Sequence, residues 1–291
     1  MLLRRASVFL SFAALGITLT GCMIAGASAD DGRPTVAASF YPLAFVAEQV
    51  GGADVRVENL TAPGVEPHDL ELTARQVGEL AAADLVVYQN GFQPAVDEAV
   101  EQNASGLVIE VTKVVSVQRD DPHVWLDPTR LAAITYAVAD ALAELAPEHA
   151  DRFHQRADSL ALELDKLDED FRDGMTGCAR TLVVTSHEAF GYLADRYGLE
   201  MIGISGQAPD AEPSPARLKE IHQVIEQAGV TTVFYERLVS PDVAQTLSAD
   251  LGVDTAVLDP VEGLTDDTES EDYLTLMRAN LEALKEANGC P

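Results

Sequence analysis

Six histidines occur in the chain of 291 residues, and three of them stand where chemistry is feasible. His68 lies in APGVEPHDLELT, His123 in DPHVWLDP and His187 in VVTSHEAFGYLA. Each follows a short run of strand-forming residues. Open α/β sheets place their ligand sites at such carboxyl ends of strands. Asp259 in VLDP and Glu236 in VFYERL occupy equivalent positions. Three imidazoles and a carboxylate suit Zn(II); imidazole also suits copper and nickel, and carboxylate suits manganese. The Pro-His and Asp-Pro turns around His68 and His123 would set the backbone direction before any ion arrives. The donors are scattered rather than grouped as HExxH or CxxC, and any one of these histidines fits a packed, turn-stabilising role equally well. His149 and His154, five apart and flanked by charge, read as solvated surface, and His222 as a surface or helix-packing residue.

The elements that would carry these groups alternate. Strand patterns run over Thr35–Phe40, Asp54–Leu60, Asp84–Gly91 and Leu107–Val111, with helical patterns between them. The second half repeats the alternation, with strands at Thr181–Ser186, Met201–Ser205, Thr231–Glu236 and Asp254–Pro260. This pattern predicts α/β architecture with mainly parallel sheets. A helix follows at Leu131–Ala146. Then Pro147 to Met175 has no internal Gly or Pro until Gly174, and Phe153, Leu160, Leu164, Leu167 and Phe171 recur at helical spacing. At 1.5 Å per residue this is a rod of about 40 Å, long enough to link two lobes. The expected division is a leader at 1–21, a tether at 22–34, a first α/β lobe at 35–146, a linking helix at 147–175 and a second α/β lobe at 176–291.

Composition limits the classes of function. The chain is 47% hydrophobic with a formal charge of −29. Such a surface repels nucleic acid and anionic lipid; it serves solubility or the attraction of cations. Arg4 and Arg5 precede an apolar run, Ser7–Thr20, of signal-peptide length. Leu19-Thr-Gly-Cys22 has the form of a bacterial lipobox, so Cys22 is expected to carry lipid. Cleavage after Ala29 is the alternative and would leave a soluble secreted or periplasmic protein. Either exit places the protein outside the cytoplasm, attached to the membrane by lipid at most. There, Cys178 and Cys290 are an even pair in an oxidising compartment and are expected to be bridged; two free buried thiols are the alternative.

Taken together, EPHDLELTARQV, DPHVWLDP, TSHEAFGYLA and the strand-end VLDP resemble the zinc/manganese class of ABC-transporter solute-binding lipoproteins, in order from Thr35 to the C-terminus. The resemblance implies a lipid-anchored monomer that captures a divalent metal and delivers it to a membrane permease. It also implies two α/β lobes joined by one rigid long helix, with the metal site in the cleft between them. Carried over by position, the ligands fall on His68, His123, His187 and Asp259. His rather than Glu at position 187 resembles the zinc members, so Zn(II) is the expected cargo and Mn(II) the alternative. Glu236 is expected behind the ligands, accepting a proton from one of them, and Trp125 is expected to pack beneath the site. One departure is visible. Many zinc members carry a His-rich loop before DPHVWLDP, where this chain has only VVSVQRDDP.

Two other classes compete. An extracellular zinc hydrolase would use the same residues with Glu236 or Glu188 as base, although neither HExxH nor GxSxG is present. An adhesin or docking lipoprotein would hold metal only structurally.

Overall fold

The computed structural model describes residues 32–118, 121–209 and 211–291. The expected leader, the lipobox with Cys22, the Ala29 cleavage site and nearly all of the tether lie outside the described residues. Two four-stranded sheets form, and all their pairings are parallel.

The first lobe runs β1 (Thr35–Ala38), α1 (Tyr41–Gly51), β2 (Arg56–Asn59), α2 (Ala74–Ala82), β3 (Leu85–Tyr88), α3 (Pro94–Asn103), β4 (Leu107–Glu110) and a single turn, α4 (Val111–Val114). Its strand order is β2-β1-β3-β4, with Val36 in register with Val57 on one side and Leu85 on the other. Parallel strands covered on both faces read as continuous apolar runs, as TVAA and LVVY do. Thr73 starts α2 through a capping box with Gln76.

A 3-10 turn at Val124–Leu126 leads into α5 (Pro128–Leu145), whose first turn is capped by the Asp127 carboxylate with Pro128 at N1. The linking segment begins as a 3-10 turn at Pro147–His149 and continues as α6 (Ala150–Gly174). At 1.5 Å per residue α6 is about 38 Å long. Its buried stripe of Phe153, Ala157, Leu160, Leu164, Leu167 and Phe171 matches the periodicity read from the sequence.

The second lobe runs β5 (Leu182–Thr185), α7 (Gly191–Tyr197), β6 (Glu200–Gly203), α8 (Pro215–Ala228), β7 (Thr232–Tyr235), α9 (Asp242–Leu251), β8 (Asp254–Val257) and α10 (Tyr273–Asn288). The order β6-β5-β7-β8 repeats the first lobe's topology without a sequence repeat. Helix α7 begins only at Gly191, with five residues between it and the end of β5, because the intervening backbone bonds elsewhere. Glu188 N–H donates to the Gly206 carbonyl at 2.9 Å, and the His187 carbonyl accepts from Thr185 Oγ1 at 2.6 Å. Cys178 and Cys290 form a disulfide across 112 residues, tying the entry of the second lobe to the end of α10.

The lobes are not beads on a rod. Arg33–Pro291 is one compact unit. A single buried cluster joins Phe40, Trp125 and Leu142 of the first half to Phe171, Phe190, Tyr273 and Leu284 of the spine and second half. Each lobe adds a smaller core of its own, around Leu80 and Val86 in one and Ile221 and Val233 in the other.

Candidate metal centre

His68 follows β2, His123 follows α4 in the loop before α5, and His187 stands two residues after β5. His123 and His187 are fully buried, while the His68 side chain keeps 14% of its surface exposed. Glu262, on the loop after β8, completes the group and is 2% exposed. One donor atom from each of these four residues lies within 4.8 Å of the other three, and among the described residues they are the one such group. His187 Nε2 is 3.3 Å from His123 Nε2. Glu262 Oε1 stands 3.1 Å from His123 Nε2, 3.4 Å from His68 Nε2 and 3.9 Å from His187 Nε2. A tetrahedral zinc with bonds of about 2.0–2.1 Å spaces its donors about 3.3–3.4 Å apart, so the donor set fits that ion in both chemistry and spacing.

The far side of two rings is fixed by carboxylates. Asp121 Oδ1 is 2.7 Å from His123 Nδ1 and also accepts the His123 backbone N–H at 3.0 Å. Glu236 Oε1 is 2.6 Å from His187 Nδ1 and also accepts from Ser186 Oγ. Such contacts hold a proton on Nδ1, so that Nε2 is the nitrogen that would bind an ion once it is free of its own proton. Burial alone would depress the His123 pKa; hydrogen bonds to Asp121 and Glu262 overcome it and raise the pKa to about 9. Burial likewise works to raise the Glu262 pKa, but hydrogen bonds from His123 and His68 hold it well below the usual carboxylate range. A metal ion would take over the role of the proton that these groups share.

Asp259, expected as the fourth ligand, is replaced in this group by Glu262. The Asp259 carboxylate is engaged elsewhere: Oδ2 is 3.1 Å from Arg237 Nε, and Oδ1 accepts the Val261 N–H at 2.8 Å. Burial raises its pKa to about 6, against the pull of the Val261 N–H and Arg237. Its backbone is tied to Asn280 of α10 through both N–H and carbonyl. The turn after it carries Val261 at φ 57, the single non-glycine residue with positive φ among the described residues. A β-branched residue there is strained, and the turn swings the next side chain, Glu262, towards the histidines. The sequence held one usable signal: VLDPVEGL contains two carboxylates three apart, and only their fold decides between them.

Trp125 packs beneath the site as expected and does more. Its Nε1–H donates to the Pro260 carbonyl at 2.7 Å, so a first-half side chain supports the loop that carries Glu262. The other histidines lie apart: His149 is beside Arg152, His154 beside Asp140 and His222 beside Glu226. Glu188, the other base considered for a hydrolase, is near Arg217 at 3.7 Å.

Known proteins share this architecture. The family model described as zinc-uptake complex component A, periplasmic (ZnuA), matches residues 36–287. The zinc-binding lipoprotein AdcA of Streptococcus pneumoniae (strain ATCC BAA-255 / R6) is 33% identical over 280 residues, which cover 88% of this chain and 56% of AdcA. The chain thus spans about half the length of that relative. The high-affinity zinc uptake system protein ZnuA of Bacillus subtilis (strain 168) is 29% identical over 307 residues, 97% of this chain and 95% of that protein. Among solved structures, the laminin-binding protein Lmb of Streptococcus agalactiae superimposes with a TM-score of 0.82 at 31% identity, covering 87% of this chain and 99% of that one. The Zn(II)-bound ZnuA-like domain of S. pneumoniae AdcA does so with a TM-score of 0.79 at 34% identity, covering 88% and 99%. With its two parallel-sheet lobes, its spine helix and a match over nearly the whole described chain, this protein belongs to the ZnuA family of zinc-uptake component A proteins.

Proposed function

We propose that the protein captures Zn(II) outside the cytoplasm through His68, His123, His187 and Glu262 and delivers it to an ABC permease for import. The observation that carries this reading is the spacing of the four donors, 3.1 to 3.9 Å across the measured pairs, around a point that one tetrahedral ion fills. Four protein ligands close a zinc shell, which suits retention; a catalytic zinc keeps a position open for water. Glu236 hydrogen-bonds to the His187 ring and Ser186, a role that orients a ligand rather than activating water. The names of the relatives, zinc-binding and zinc-uptake proteins, support the same cargo.

Attachment to the membrane through lipid on Cys22 belongs to this reading. It rests on the Leu19–Cys22 motif and on relatives that are named lipoproteins. Among the described residues no helix is long and apolar enough to cross a membrane. Release requires the donors to separate. The core shared by both lobes and the spine favours a local shift of the loops bearing His68 and Glu262 over a wide opening of the lobes.

The test is zinc stoichiometry and affinity, by competition with a chelator, on wild type, Glu262→Gln and Asp259→Asn. One tight zinc per chain, lost with the Glu262 change and largely kept with the Asp259 change, is the expected result. A wild type that takes up no zinc would end this reading.

A further inference from the structure

The turn between β3 and α3, Gln89-Asn-Gly-Phe-Gln93, contributes no metal donor, yet it touches both first-lobe histidine segments. The Gln89 side-chain amide donates to the carbonyl of Pro122, the residue before His123. The Gln93 amide donates to the carbonyl of Pro67, the residue before His68, at 3.2 Å and to Thr61 Oγ1 at 2.9 Å. Between them, the Phe92 ring meets the His68 ring edge-on, with centroids 4.6 Å apart. Gly91 at φ 83 supplies the left-handed residue that lets one short turn point all three side chains inward.

Two features make these contacts costly for a merely structural turn. Gln93 is the N-cap residue of α3, a place where Ser, Thr, Asp or Asn would bond the helix, yet its side chain makes no capping bond. Gln89 is 2% exposed and leaves its Oε1 without a hydrogen-bond partner, a burial that opposes folding. Choices that break local rules gather where geometry serves function. The position of the turn gives the reason. The first sheet reverses its strand order between β1 and β3, and Gln89 directly follows β3 at that switch point. In the second lobe the corresponding place, after β5 and β7, holds His187 and Glu236.

We propose that Gln89, Phe92 and Gln93 are positioning residues that set the separation of His68 and His123, and thereby the preference of the site for a small tetrahedral ion. This deepens the zinc-capture reading and rests on it. Loosening the turn lets the first-lobe donors spread, which penalises zinc more than manganese, an ion that accepts more ligands in a wider shell.

The experiment uses the full chain with Gln89→Met and Gln93→Met, which remove the amide while filling similar volume, and Phe92→Leu, which removes the ring. Zinc and manganese affinities are measured by competition, the visible spectrum is recorded with Co(II) in place of zinc, and apo stability is followed in urea. The expected result is about tenfold weaker zinc binding in each glutamine variant, within the range seen when groups behind metal ligands are removed. It is accompanied by a narrower zinc-over-manganese ratio and a weakened tetrahedral cobalt band. A turn that only supports the fold would shift the urea midpoint and leave the metal ratio and the cobalt band alone. That outcome, or three variants within twofold of wild type, would overturn the proposal. Wild type that binds no zinc would overturn the zinc reading itself, so the two failures are distinguishable.

Discussion

The four donors divide into two pairs that are held in different ways. His123 and His187 are fixed at the ring: each Nδ1 meets a carboxylate, and each side chain is fully buried. Their segments are also joined across the lobes. Tyr192 of α7 donates to the Asp121 carbonyl at 3.0 Å, and Arg196 spans Asp168 of the spine and Asp127, the cap of α5. His68 and Glu262 are held mainly through their backbones. Gln93 fixes the Pro67 carbonyl, Trp125 fixes the Pro260 carbonyl, and among the described residues no carboxylate bonds to His68 Nδ1. Their two loops meet at the rim, where Gly64 N–H donates to the Leu264 carbonyl at 2.7 Å. The ring-held pair is therefore a prepared floor with fixed ring orientations, and under the proposed function the backbone-held pair is the part expected to move when the ion leaves.

Loss of a floor ligand should be the most severe change. His187→Ala is expected to weaken zinc by a thousandfold or more, well beyond the roughly 10–100-fold range for groups behind the ligands, as read by chelator competition. His68→Ala should cost about ten times less than His187→Ala and act mainly by speeding zinc release in stopped-flow chelation. Equal losses in the two variants would erase the distinction between floor and rim. Glu236→Gln should weaken zinc by about tenfold, because the imidazole of His187 loses its charged partner while the ring keeps a hydrogen-bond acceptor.

Proton release tests the charge on the floor. The His123 pKa is raised from 6.5 to about 9. Its contribution to apo stability is therefore fully present below pH 6.5 and fades as pH rises through about 9. The Glu262 pKa is lowered from 4.5, so its contribution is present above 4.5 and fades on acidification. Zinc must displace the His123 proton. Affinity should thus climb with pH and level off near pH 9, with about one proton released at pH 7 in calorimetry across buffers of different ionisation heat. A flat profile from pH 6 to 9 would contradict the shared proton. The smallest effect on zinc is expected from Cys178→Ala with Cys290→Ala. A closed loop of 112 residues is worth about 3–5 kcal/mol of stability, so the urea midpoint should fall while zinc affinity stays within about twofold.

Much of this was legible in the chain alone. The central strands β1, β3, β5 and β7, buried on both faces, leave apolar runs bounded by turns, while the edge strand β2 shows as an alternating pattern, so all eight strands are legible. The stripe from Phe153 to Phe171 marked the spine. Only its first turn differed, because Pro147–His149 winds as a 3-10 turn before the α-helix begins. The three histidines stand out because each follows a strand, and the resemblance carried by their flanking motifs gives them the expected role of ligands. The late start of α7 is not legible in periodicity, since Glu188 N–H bonds to Gly206, a partner distant in sequence.

The sequence by itself determined the alternation of elements and the spine, because each is written in local pattern: side-chain period and turn residues. It marked the three histidines as candidates by their position relative to a strand, and the family resemblance supplied the expectation that they bind metal. The tertiary structure decided the rest. It brings Glu262 rather than Asp259 beside the histidines, because Arg237, Asn280 and Trp125, all distant in sequence, hold the carboxylate of one and the backbone that aims the other. It also brought Gln89 and Gln93 against the prolines before His123 and His68. Those contacts arise where strand order reverses, and strand order is a property of how the chain packs on itself.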